Sequence, residues 1–266
     1  MPRPLARVIS IMQIRDIGIS PLKGGRHQPR QSVQLGHDGA AGDRDFAVVD
    51  LHTGQILKTV ENAALVGCEA DWAAGVLSVE IDGRRFSAVP EPTGQQIELK
   101  YWGRGTPMQV VDGPWASEFS RLLGRSVVLA RSLVTGGVVY ADPITISTTS
   151  SLDRLADKVG GAVDTRRFRS TFTIDTGDAD AHIEDSWAGR ELVVGGARLL
   201  IKGGIPRCAV IDIDPQTGVR GTHLLKSLGG YRLKGNDIMF GVYASVIQPG
   251  AVSVGDEARL VDEPHD

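Results

Sequence analysis

A mainly β chain with a few helices (α+β), folded as two β units packed together, is the architecture this sequence predicts. Three observations predict it. Short runs of alternating apolar and polar residues recur along the 266 residues, glycine is frequent (33 residues) and scattered between those runs, and only two stretches carry a helical apolar period.

Taken in order, Phe46-Ala47-Val48-Val49 reads as a strand. Leu77, Val79 and Ile81 alternate with Ser78, Glu80 and Asp82, and Asp82-Gly83 then offers a two-residue hairpin turn. Ile97, Leu99 and Tyr101 alternate in the same way. Trp115, Phe119, Leu122 and Leu123 fall on one face of a first helix, with Pro114 suited to its first turn and Gly124 to its end. Leu152, Leu155, Ala156 and Val159 form the apolar face of a second helix, with Ser150 as N-cap, Asp153 completing a capping box and Gly160 ending it. Leu192-Val193-Val194 turns at Gly195-Gly196 into Arg198-Leu199-Leu200-Ile201. A soft boundary at Asp112-Gly113-Pro114 divides the chain into units 1–112 and 113–266, with the site expected where they meet.

Composition narrows the function. Twenty-nine basic and 32 acidic residues leave a net charge of −3, without the basic stripe of a nucleic-acid binder. Aromatic residues are sparse, which argues against a base-stacking platform. Two cysteines form no disulfide framework and point to a reducing, cytoplasmic setting. The start, Met1 to Val8, lacks the apolar region of a signal peptide, no run approaches the roughly 18 apolar residues of a membrane span, and the tail Asp262 to Asp266 reads as solvated and frayed. No membrane partner is expected.

Spacing discards several chemistries. No G-x-G-x-x-G lies between a strand and a helix, so no pyridine nucleotide is expected. Gly221 to Ser227 ends like a phosphate loop but has Leu225 where the second glycine must be. Asp212 and Asp214 begin like a calcium loop, yet Gln216 and His223 stand at later ligand positions, and a tight turn reads better. There is no H-E-x-x-H, no zinc knuckle, no nucleophile elbow and no cysteine set for an iron–sulfur cluster.

What remains is Cys208, in Gly203-Gly204-Ile205-Pro206-Arg207-Cys208, and a set of basic residues beside small polar ones. The Arg207 cation next to the sulfur favours a thiolate, the form that attacks electrophiles and binds soft metals; a small buried hydrophobe is the other reading, and spacing alone does not choose. Lys23, Arg44 and the Arg166, Arg167, Arg169 group are candidate phosphate grips, as are Ser150 and Ser151 at a helix start. Taken singly, each charge reads as surface and the Ser/Thr run as capping. Cys68 reads as structural.

In their joint order these pieces resemble the MOSC family, proteins related to the C-terminal domain of molybdenum-cofactor sulfurase, from about Ile17 to Val261. The likeness rests on Ser20-Pro21-Leu22-Lys23, on Gly42-Asp43-Arg44-Asp45-Phe46 and on Arg167-Phe168-Arg169. It continues through Glu184-Asp185-Ser186-Trp187, Pro206-Arg207-Cys208 with Asp214-Pro215-Gln216-Thr217-Gly218, and Phe240-Gly241-Val242-Tyr243. The resemblance implies an N-terminal β-barrel unit packed on a MOSC barrel-like unit. The nearest functional likeness is to amidoxime-reducing proteins. It implies a molybdenum cofactor (a metal held by molybdopterin) with Cys208 as metal ligand. Lys23, Arg44, Arg169, Ser150 and Ser151 would lie on the phosphate or pterin, and Arg207 would help keep Cys208 ionised. It also implies an oxidoreductase that reduces N-hydroxylated small molecules with electrons from a separate protein of ferredoxin, flavoprotein or cytochrome type. A persulfide-carrying sulfurtransferase using Cys208 and a cofactor-free binding module on the same fold are the alternatives. Ser170-Thr171 stand where the family commonly has proline-asparagine, and Ile211-Asp212 where the reductase branch has a threonine pair.

Overall fold

The computed structural model describes residues 12–261. The expectations for the start, Met1 to Val8, and for the tail, Asp262 to Asp266, lie outside the described residues. Strands dominate, with three α-helices among the described residues.

Seven strands close into a barrel. Around it, Ile144–Thr148 runs parallel to Phe172–Asp175, followed by antiparallel Met12–Ile19, Glu257–Leu260, Glu191–Val194, Ala197–Pro206 and Asp237–Gln248, which pairs back onto Ile144–Thr148. Alternation fills the interior: Ile14, Ile146, Phe172, Ile174, Leu192, Val194, Leu199, Val242 and Ala244 are all buried in one cluster. Burying a large apolar side chain contributes about 1.5–3 kcal/mol, so this interior supplies much of the driving force.

The second unit is an open five-stranded sheet, half of a barrel, in the order Glu91–Tyr101, Arg104–Asp112, Val127–Ser132, Phe46–Asp50, Gln55–Ile56. A three-stranded meander, Glu69–Ala73, Val76–Ile81 and Arg84–Ala88, accompanies it. The expected turn at Asp82-Gly83 is present, with both residues at positive φ (48° and 72°).

Helix α1 (Trp115–Leu123) buries Trp115 and Phe119 in the same core as Phe46, Leu77 and Leu129 and ends on left-handed Gly124. Helix α1 and Val127–Ser132 complete the first core. The first described strand, Met12–Ile19, is a stave of the closed barrel.

Helix α2 (Thr149–Val159) is capped by Thr148, whose side chain accepts from the Ser151 N–H; the expected cap, Ser150, is the second residue of the helix. Its Leu152 and Leu155 pack with Phe168, Ile211, Phe240 and the Leu224 and Leu228 of α3 (Leu224–Arg232). Val159 is exposed instead.

Candidate functional site

The basic recess is built by zipping two short segments together. The Lys23 N–H donates to the Phe46 carbonyl at 2.7 Å, the Phe46 N–H to Pro21 at 3.0 Å, and the Arg44 N–H to Ser20 at 2.8 Å. Asp43 holds the join by accepting the Ser20 N–H at 2.7 Å, and its other oxygen pairs with the Arg44 guanidinium. This brings Lys23 beside Arg44.

Arg169 arrives from the other unit. Asp164 caps the short 3-10 turn Thr165–Phe168, and Arg169 terminates it in the left-handed region at φ 52°. From there its Nη2 donates to the Ser20 hydroxyl at 2.8 Å. Arg44 is also left-handed, at φ 58°. A non-glycine residue in that region costs on the order of 1–2 kcal/mol, and such strain concentrates where side-chain placement matters more than backbone comfort.

Ser20 is the hub of the recess. Its hydroxyl accepts from Arg169 and lies 3.2 Å from His27 Nδ1, while His27 Nε2 lies 3.0 Å from the Ser170 carbonyl. A carbonyl can only accept, so Nε2 carries the proton and Nδ1 accepts from Ser20. Burial, with the Arg169 and Arg44 charges nearby, pushes His27 well below its ordinary range, so the ring is neutral. A side chain on Gly18 would collide with this ring, which explains the glycine there.

Electrostatically the recess is unbalanced. Burial first, then the Arg44 and Arg169 charges, lower the Lys23 amine to about 7, opposed by Asp43 and Cys208. Arg169 is lowered to about 10 by burial and Arg44. Three cations thus share one close carboxylate, Asp43.

Cys208 is exposed, in extended backbone between the strand Ala197–Pro206 and the short 3-10 turn Ala209–Asp212. The buried-hydrophobe reading is excluded for it and holds for Cys68. Cys68 is 2% exposed inside the first core, and burial pushes its thiol up to about 12. Arg207 is anchored rather than free: its Nε donates to the Phe240 carbonyl and its Nη1 to Phe168, both at 2.8 Å, with the guanidinium 5.3 Å from the Phe168 ring. Only Nη2 is buried without a partner.

Arg44, Arg169 and Cys208 each lie within electrostatic range of Lys23. Ser150 and Ser151 belong to another cluster. The Ser151 hydroxyl donates to both oxygens of fully buried Glu184, at 2.7 and 2.8 Å, and accepts from Thr148 and the His182 N–H. The Ser150 hydroxyl meets Thr176 and the Asp180 carbonyl. Arg166 pairs with Asp164, and Arg167 braces the Ile213 carbonyl and Asp214. Sequence reasoning placed Ser20, Asp43 and Glu184 only within family segments, without a role of their own, and did not single out His27.

The departures from the family pattern also find places. Ile211 is buried with Phe168 and Phe240, and Asp212 accepts the Leu225 N–H at the start of α3. Thr171 exchanges backbone-to-hydroxyl bonds with Thr145.

The family model of the MOSC domain matches residues 131–259, a stretch that holds Cys208, Arg207 and Arg169. This stretch, just under half of the chain, is similar to the MOSC domain. Human mitochondrial amidoxime-reducing component 1 is 31% identical over 137 residues, 47% of this chain and 40% of that protein. The tomato (Solanum lycopersicum) molybdenum cofactor sulfurase is 37% identical over 78 residues, 29% of this chain and 9% of that protein. The chain thus matches well under half the length of these relatives. Among solved structures, the YuaD protein of Bacillus subtilis aligns at a TM-score of 0.46 with 12% identity, over 94% of each chain. Lys23 and Arg44 lie outside the MOSC match and reach the site from the first unit and its approach strand.

Proposed function

We propose that this chain is a molybdenum-cofactor oxidoreductase that reduces N-hydroxylated small molecules. The observation that carries the reading is an exposed thiol, Cys208, within electrostatic range of Lys23, which shares its recess with Arg44 and Arg169, both held in left-handed backbone. The residues fit such a cofactor. Lys23, Arg44 and Arg169 leave positive charge that an anionic phosphate neutralises, and Cys208 offers one soft ligand. Among the described residues no group of three or more His, Cys, Asp and Glu is gathered to hold a metal alone. A metal delivered on its own organic ligand needs only the one sulfur.

When bound, the cofactor would supply two-electron oxygen-atom chemistry. With it, the N–O bond of the substrate would be cleaved with uptake of two electrons and two protons and release of water. Arg207 acts through position: its two bonds to Phe240 and Phe168 fix the backbone that presents Cys208. Two cysteines cannot hold an iron–sulfur cluster, so electrons would come from a separate protein of ferredoxin, flavoprotein or cytochrome type. The names of the amidoxime-reducing relatives support the reaction class.

Metal analysis tests the reading. Molybdenum near one per chain, absent in Cys208→Ala, is expected; wild-type protein that stays metal-free after cofactor loading contradicts it. The likeness to a molybdenum cofactor sulfurase keeps a second reading, persulfide transfer by Cys208. Mass spectrometry after exposure to a cysteine desulfurase decides it: no sulfur added to Cys208 removes that reading.

A further inference from the structure

Trp102 is 56% exposed at the tip of the hairpin joining Glu91–Tyr101 to Arg104–Asp112. Its backbone is left-handed, at φ 52°, a position where glycine or asparagine would sit at lower cost. Solvent contact does not reward an indole there. Its chain neighbour Tyr101 lies 6.4 Å away edge-on and Lys58 Nζ stands 5.8 Å from its ring centre; two further aromatic rings gather to it. Tyr140, 43% exposed, stands 4.6 Å from Trp102 with the ring planes at 88°, and Tyr243 lies 6.3 Å beyond Tyr140. The three rings come from three segments: a hairpin of the first unit, the connection between units, and a barrel strand.

The arrangement is braced. Arg104, on the same hairpin, donates to the carbonyls of Val139, Tyr140 and Ala141, which ties the Tyr140 segment to the Trp102 turn. It also borders the basic recess. Tyr101, next to Trp102, carries the Lys23 ammonium 5.1 Å from its ring centre, and Tyr243 lies within the fields of Arg207 and Arg44.

We propose that Trp102 and Tyr140 form an open aromatic corner that seats the planar ring of a small-molecule substrate and so selects conjugated substrates over saturated ones. The inference rests on the N–O reductase reading of the same site. Two perpendicular rings let a third stack on one while meeting the edge of the other, the two geometries aromatic pairs prefer. Exposure separates the roles. The cations are set in the recess, suited to a resident group, whereas the corner faces solvent, suited to a ligand that exchanges each turnover.

Calorimetric titration of the purified protein tests this, with benzamidoxime and its saturated counterpart cyclohexanecarboxamidoxime as probes. Wild type should bind the phenyl compound about tenfold more tightly than the cyclohexyl one. Trp102→Ala and Tyr140→Ala should bring the two within about twofold, and Trp102→Phe should restore the preference. Equal binding by wild type, or a preference that survives Trp102→Ala, overturns the proposal. Because the titration reads binding and not turnover, a ring preference in a protein that proves unable to reduce N–O bonds would count against the reaction alone. An active reductase without ring preference would count against the corner alone.

Discussion

The recess around Lys23 and the hydroxyl cluster at the start of α2 look alike in sequence, both being short polar runs suited to an anion. The fold treats them in opposite ways. At α2 the chain supplies its own anion: Glu184 is fully buried and accepts from Ser151 and Thr148, which leaves nothing for a ligand to neutralise. At the recess the chain supplies three cations and one close carboxylate, and holds Arg44 and Arg169 in left-handed backbone to do so. A polar cluster that satisfies itself is structure; one that stays short of a partner is a site.

Four substitutions sharpen or break this contrast. Glu184→Ala should have the largest effect, a stability loss of about 3 kcal/mol as buried hydroxyls lose their acceptor, with anion affinity intact. Thermal melting and a sulfate titration check both halves; a variant that melts normally but no longer binds sulfate would reverse the assignment. Arg44→Ala and Arg169→Ala should each weaken sulfate binding by about tenfold, and Ser150→Ala by less than about twofold. Equal losses in all three would place the helix start in the site after all.

Cys68→Ser should cost about 1 kcal/mol of stability, since a hydroxyl replaces a thiol in an apolar core, while metal content is unchanged. Loss of activity in a folded Cys68→Ser protein would contradict the separation of the two cysteines. The smallest effect concerns pH. Lys23 binds an anion best when protonated, and its amine is lowered to about 7. Sulfate affinity should therefore fall by about threefold between about pH 6 and about pH 8, a slope that Lys23→Arg removes. The sign for stability follows too. Unfolded, the amine titrates at its ordinary 10.5, so between about 7 and 10.5 the unfolded chain holds the extra proton and stability rises with pH across that window. Affinity that is flat across neutrality in wild type would show that Lys23 does not face the anion.

Much of the fold was legible because alternation and turn chemistry are local. Leu77, Val79 and Ile81 point inward as their period requires, and Asp82-Gly83 turns as its dipeptide suggests. Helix α3 was not legible: Gly229 and Gly230 interrupt it, and it is held by contacts of Leu224 and Leu228 with distant Phe168 and Phe240. Likewise, Trp115 and Phe119 choose their core by tertiary packing that no local period encodes. Within the proposed site, Cys208, Lys23, Arg44 and Arg169 stand out in sequence as residue types in a family order. Ser20 and His27 do not, because their importance lies in a hydrogen-bond chain joining residues nearly 150 positions apart, from Ser20 to Arg169. Ser150 and Ser151 stand out in sequence because a helix start offers an anion site in general; the bond from Ser151 to distant Glu184 becomes visible only in the fold.

X-ray absorption at the molybdenum edge addresses the central claim most directly, by comparing loaded wild type with Cys208→Ser. The account predicts one fewer sulfur neighbour at the metal in the variant. An identical sulfur shell in both proteins would show that Cys208 is not a ligand.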